Sequence, residues 1–327
     1  MKIQRIQAYT LTRPYYSNNE QHTIRQASAQ LFHSNSISAV KSDLFICSNN
    51  KNCPSFTSSN ILEKMMRNYL KRKSLNNSLT HSKRPYLTIE DDLKEIITPV
   101  KISVSKKESI NAFDINPKNS RKYLLFLHGF SQNITSNQPL YKALKDSNFG
   151  ILAIDYRGYG ANKHSINTNE RGLLQDMKSS IKYLKDKGIK EIGLIGHSFG
   201  GYLATKLSKA SQVDFQILVS PMLSLEFWLK NVIKNPNKYK QENKMVKFIP
   251  GFKDQYRKIF NIDKQIEGNN TATYIIQAFK DRYIRTSKVN EFAKKINNLK
   301  EYKIIQQGGH RMDNNKIEAI IDILKNL

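Results

Sequence analysis

Cysteine is scarce in this chain of 327 residues: only Cys47 and Cys53 are present, with no histidine pattern beside them to complete a zinc site. They read as free thiols, since nothing else points to an oxidising compartment. Acidic residues are also in short supply, 27 Asp and Glu against 53 Lys and Arg, for a formal net charge of +26. Such a surface attracts anions. The lysines are spread along the chain, however, and no helix-turn-helix, zinc finger or RNA-binding aromatic signature accompanies them, so specific nucleic-acid recognition is not expected. No apolar run reaches the length of a membrane span, and the opening Met1-Lys2-Ile3-Gln4-Arg5-Ile6 lacks the apolar core of a secretory signal. The expectation is a cytoplasmic location, with peripheral attachment to an anionic membrane compatible with the charge; signal-less secretion would leave no mark here. Neither a metal-ligand cluster nor a dinucleotide-type glycine loop occurs, so no metal or cofactor is implied.

The mean hydropathy of −0.57 is low for a wholly compact chain, and the polar excess lies early. Residues 1–84 read as a basic, largely irregular extension, with turn-prone runs such as Cys47-Ser48-Asn49-Asn50-Lys51-Asn52. Within it, Ile61, Leu62, Met65, Met66, Tyr69 and Leu70 recur at helical spacing and are followed by Lys71-Arg72-Lys73, which predicts an amphipathic helix over 60–73. Such a helix docks on its own domain or lies on an anionic membrane.

From about Pro85 the pattern changes to alternating strands and helices. Ile96 to Ser105 and Ser109 to Ile115 predict an antiparallel opening. Tyr123 to Leu127, Gly150 to Ile154, Glu191 to Ile195, Phe215 to Val219, Thr273 to Phe279 and Tyr302 to Ile305 follow as buried strands, separated by helical patterns; one of these patterns carries Leu173, Leu174, Met177, Ile181 and Leu184 on one face, and another is capped by Thr286 or Ser287. That alternation predicts a mostly parallel sheet covered on both faces. One stretch, about 222–270, breaks it with Phe227-Trp228-Leu229 and other apolar groups among lysines, and reads as a helical cap over the sheet's carboxyl edge. The domains expected are therefore 1–84 and 85–327.

The chemistry gathers where strands end. Gly196-His197-Ser198-Phe199-Gly200-Gly201 follows an apolar run and leads into a helical pattern, a strand, sharp elbow and helix that would push the Ser198 hydroxyl outward. His128-Gly129-Phe130 closes an earlier strand, where a glycine lets backbone amides approach a developing oxyanion. Asp281 and then His310, in Gly308-Gly309-His310, come just past later strands. Asp254 and Asp263 are rival carboxylates, but both fall in the stretch read as the cap. Asp155 and Arg157, in Asp155-Tyr156-Arg157-Gly158-Tyr159-Gly160, read as braces of a loop, and His128 and His197 as packing or hydrogen-bonding groups.

Taken together these motifs resemble the α/β-hydrolase superfamily, and more narrowly its serine-aminopeptidase-like and monoacylglycerol-lipase-like branch, over roughly Pro85 to Leu327. The resemblance implies Ser198 as nucleophile, His310 as general base and Asp281 as the carboxylate that orients the imidazole. It also implies the backbone N–H groups of Phe130 and Phe199 as the oxyanion hole. The reaction implied is hydrolysis of a carboxylic ester or thioester, an acyl or lipid-like substrate being favoured by the apolar cap and basic exterior. The rival readings are a catalytically idle module that binds a membrane or protein partner, and a serine peptidase.

Overall fold

Alternate residues of the strand Lys122–Leu127 enter opposite layers of the core: Tyr123, Leu125 and Leu127 join one apolar cluster, Leu124 and Phe126 another. A strand's two-residue period separates them, and a strand buried on both sides needs an unbroken apolar run. The structure, a computed structural model, describes residues 85–130, 132–162, 170–225, 237 and 260–327. Among these, eight strands form one sheet: β1 (Ile97–Ser103), β2 (Ser109–Ile115), β3 (Lys122–Leu127), β4 (Gly150–Ile154), β5 (Glu191–His197), β6 (Phe215–Val219), β7 (Ala272–Ala278) and β8 (Leu299–Ile305). Their spatial order is β1-β2-β4-β3-β5-β6-β7-β8. The β1–β2 and β2–β4 pairs are antiparallel and the other five are parallel.

The described α-helices are α1 (Asp91–Lys94), α2 (Gln138–Leu144), α3 (Glu170–Asp186), α4 (Phe199–Ala210), α5 (Asp263–Ile266), α6 (Thr286–Ala293) and α7 (Asn314–Lys325). Leu173, Met177, Ile181 and Leu184 of α3 share a core with Leu203 and Leu207 of α4 and Phe292 of α6. Across the sheet, Leu140 and Tyr141 of α2 pack in one cluster with Ile317, Ile320 and Ile323 of α7. Each helix thus buries one stripe at helical spacing, and the sheet is covered on both faces as the alternation predicts.

One difference from the sequence reading has a local cause. Thr286 or Ser287 is predicted to cap α6, but Arg285 occupies the N-cap without a side-chain cap bond, while the Thr286 hydroxyl donates to the Ala278 and Phe279 carbonyls at 3.2 and 3.3 Å. The hydroxyl satisfies the end of β7 instead of the helix. The described ends of the stretch read as a cap, represented by Met222, Leu225, Phe260, Ile262 and Ile266, are buried in the same core as α4. The predicted helix over 60–73, Cys47, Cys53 and residues 226–236 and 238–259 lie outside the described residues. Among the described residues, no helix is long and apolar enough to cross a membrane.

Candidate active site

Strand β5 ends at His197 and α4 begins at Phe199, so Ser198 alone makes the turn, with φ 55° and ψ −113°. A serine rarely adopts this left-handed φ unless its surroundings force it. Three backbone bonds do so: Ser198 N–H donates to Val219 O at 2.9 Å, and Ser198 O accepts from Gly201 N at 2.9 Å and Met222 N at 2.8 Å. The flanking glycines are steric requirements, because a Cβ at Gly200 would stand 1.9 Å from Leu127 O and one at Gly196 would stand 2.4 Å from Gly200 O. Helix and strands close on the elbow without room for a methyl group. Phe199, as the first residue of α4, keeps an N–H that the helix itself cannot use.

The structure brings His310 and Asp281 to this serine. His310 Nε2 lies 2.8 Å from Ser198 Oγ, and its Nδ1 lies 2.8 Å from Asp281 Oδ2. With a carboxylate at Nδ1, the proton belongs there and Nε2 is left to accept from the hydroxyl. The other carboxylate oxygen, Oδ1, accepts from the N–H groups of Tyr283 and Ile284, both at 2.8 Å. Burial pushes the Asp281 pKa up, but the bond and charge of His310 and those two amides outweigh it, leaving the carboxyl below its usual range. Asp281 therefore stays ionised at neutral pH. Of its rivals, Asp263 pairs with Lys295 at 2.6 Å, and Asp254 lies outside the described residues.

His197 has a definite partner: its Nε2–H donates to the backbone carbonyl of His310 at 2.8 Å. Burial, with the neighbouring His310, lowers its pKa to about 3, so it is the neutral tautomer that donates. Lys316 was not singled out by any motif, yet its buried ammonium also bonds the His310 loop. Both side chains act on backbone carbonyls, a contact that leaves no spacing signature.

The rings of Phe130 and Phe199 stack with centroids 4.1 Å apart and planes 10° from parallel. The loop before Phe130 is fixed by Gly129 N–H donating to Gln132 Oε1 at 2.8 Å and by Tyr156 O–H donating to His128 O at 2.9 Å. Asp155 accepts from Ile134 N–H at 2.9 Å and from the Tyr86 hydroxyl. Arg157 reaches α3, where its Nε lies 3.0 and 2.9 Å from the two Asp176 oxygens and a terminal nitrogen 2.6 Å from one of them. Both residues brace loops, as their motif predicts. His128 stays buried against Tyr156 and Tyr159 and does not meet Ser198. Among the described residues, no group of three or more His, Cys, Asp or Glu could hold a metal ion.

A family model described as serine aminopeptidase, S33 matches residues 118–255. A carboxylesterase of Bacillus subtilis is 23% identical over 211 residues, 59% of this chain and 86% of that protein. A Mycoplasma pneumoniae protein named as an esterase/lipase is 28% identical over 122 residues, 37% of this chain and 44% of its own length. The match thus spans less than half of that relative, and the same holds for its Mycoplasma genitalium counterpart at 43%. A solved esterase of Pyrococcus furiosus superposes with a TM-score of 0.58 at 19% identity, covering 74% of this chain and 96% of that one. At such identity the likeness speaks for the fold alone, and over residues 118–255 the chain is similar to the serine aminopeptidase S33 family.

Proposed function

We propose that the protein is a serine hydrolase that cleaves carboxylic esters or thioesters, with Ser198, His310 and Asp281 as its triad. The single observation carrying this reading is the continuous chain of two 2.8 Å bonds from Ser198 Oγ through His310 to Asp281. An idle module has no need of an ionised buried carboxylate aimed at an imidazole aimed at a strained serine. In acylation, His310 Nε2 takes the Ser198 proton as Oγ attacks the carbonyl carbon. The backbone N–H groups of Phe130 and Phe199 receive the oxyanion, each well-placed donor worth about 3–4 kcal/mol of barrier. His310 then returns the proton to the leaving alcohol or thiol, and in the second half activates the water that releases the acid. Asp281 stabilises the imidazolium in both halves without taking its proton.

Esters come first as substrate because a relative matched over 59% of this chain is named a carboxylesterase. An acyl or lipid-like acid portion fits the partly exposed Phe130 ring, which stacks on the buried Phe199, and the apolar groups that the sequence carries in the 222–270 stretch. Cleavage of peptides is the second reading, favoured by the description of the matching family model. The basic 1–84 segment is proposed as a separate unit that brings the 85–327 domain to anionic surfaces.

Hydrolysis of a graded series of acyl esters and thioesters, run beside short peptides with free amino termini, tests these readings. Wild type is expected to favour esters, and Ser198→Ala to lose about 10⁶-fold in kcat. Ester turnover undiminished in Ser198→Ala would remove the triad assignment, and faster release of amino-terminal residues than of acids would favour the peptidase.

A further inference from the structure

Three successive carbonyls, those of Gly309, His310 and Arg311, each accept a bond from a side chain. The Lys316 ammonium donates to Gly309 O at 2.5 Å, to Arg311 O at 2.8 Å and to Asp313 Oδ2 at 3.0 Å. Between the first two, His197 Nε2–H donates to His310 O at 2.8 Å. Lys316 is 0% exposed. A cation buried so completely needs full compensation, and an ammonium with three donors and no acceptor finds it in these three oxygens.

Helix stability does not account for this lysine. Asp313 is the N-cap of α7 and accepts from Lys316 N, which puts Lys316 in the first turn. That turn carries the positive end of the helix dipole and favours anions. A surface role is excluded by its burial. The turn before His310 is built around the same group of atoms: Gly308 has φ +86°, and a Cβ there would stand 2.3 Å from Asp313 Oδ2. A residue placed against its own helix's preference, with its charge used on the carbonyls either side of His310, is what a functional site produces when it overrides a local rule.

We propose that Lys316 is a positioning residue for His310: by tying down the carbonyls on both sides, its ammonium holds the imidazole between Ser198 Oγ and Asp281. The inference rests on the triad reading given above. Lys316 touches no reacting atom and acts only through the backbone. Arginine is no conservative replacement, because its planar fork cannot converge on three oxygens as an ammonium does.

The test compares full-length Lys316→Met and Lys316→Gln with wild type and Ser198→Ala, by ester hydrolysis well below the melting temperature. A second readout is the low-field proton resonance of the His310–Asp281 hydrogen bond. Positioning predicts that kcat falls about 100-fold in a folded Lys316→Met chain while KM stays within about twofold, because misplacement of a catalytic group by an ångström costs that much. The low-field resonance is lost or broadened alongside. A wild-type kcat with an intact resonance overturns the proposal. So does recovery of activity when Asp313→Asn is added to Lys316→Met, since Lys316 would then serve only to neutralise Asp313. If Lys316→Met does not fold, Lys316→Gln is judged by the same readouts. Activity unchanged in Ser198→Ala sinks the triad reading instead, and the resonance alone then decides whether Lys316 orients His310.

Discussion

The Ser198 elbow and the His310 loop deliver two atoms to within 2.8 Å of each other, and they are held by different physics. The elbow is fixed by exclusion. Gly196 and Gly200 stand where any Cβ would strike backbone, 1.9 Å from Leu127 O in the case of Gly200, and the serine's backbone is held by main-chain bonds to Val219, Gly201 and Met222. The His310 loop follows β8 at the sheet edge and is held by side chains reaching in from other elements: Lys316 from α7, His197 from β5 and Asp281 from the turn after β7. Steric exclusion is tied to one residue type and so writes a motif. Hydrogen bonds to carbonyls can be supplied by any donor from anywhere in the fold, so they write none.

Among variants that keep the nucleophile, the largest effect belongs to the histidine side. Asp281→Asn is expected to leave the fold intact and to lower kcat by about 10⁴-fold, because an amide at Oδ2 can donate to Nδ1 and so favour the wrong tautomer. Steady-state kinetics check this, and a loss of less than tenfold would mean that His310 is oriented by its loop alone. Next is the elbow: Gly200→Ala sets a methyl against Leu127 O and should cost more than about 4 kcal/mol of stability, measured by denaturant unfolding. A variant that unfolds at the wild-type midpoint would break the contrast drawn between the two regions.

The smallest effect is a pH dependence. His197 is neutral in the folded chain down to about pH 3, whereas an unfolded histidine titrates near its ordinary value of about 6.5. Between those values the unfolded chain binds the extra proton, so stability falls with acidification, by about 2 kcal/mol at pH 5 for this one group. The contribution is fully present above about pH 6.5 and is lost progressively below it. In His197→Gln, which keeps a donor for His310 O but does not titrate here, that part of the acid sensitivity should vanish from unfolding curves taken at pH 5 and pH 7. Equal losses in the two chains would mean that His197 is not held neutral by its burial.

Much of the fold was legible before any coordinates because strands buried on both faces must be continuously apolar. Tyr123 to Leu127 and Gly150 to Ile154 are such runs, and they appear as β3 and β4 with boundaries changed by a residue or none. The helix stripe Leu173, Leu174, Met177, Ile181 and Leu184 is readable because a helix that buries one face repeats its apolar residues at helical spacing; Leu174, at the edge of that face, is only partly buried. The role of Thr286 is not legible in the sequence because a hydroxyl at a helix start is equally able to bond the carbonyls of the strand end behind it, and only the approach of β7 decides between them.

By itself, the sequence determined the period of each element, the elbow and the order in which serine, aspartate and histidine arrive at strand ends. These depend on neighbours a few residues apart, where side-chain volume and backbone torsion act directly. Tertiary structure decided which aspartate meets His310, with Asp263 drawn off to Lys295. It also decided that a lysine six residues beyond His310 turns inward to hold it and that His197 donates across 113 residues of chain. These choices rest on which polar groups are buried together, and a buried donor takes the nearest unpaired acceptor regardless of its distance along the chain.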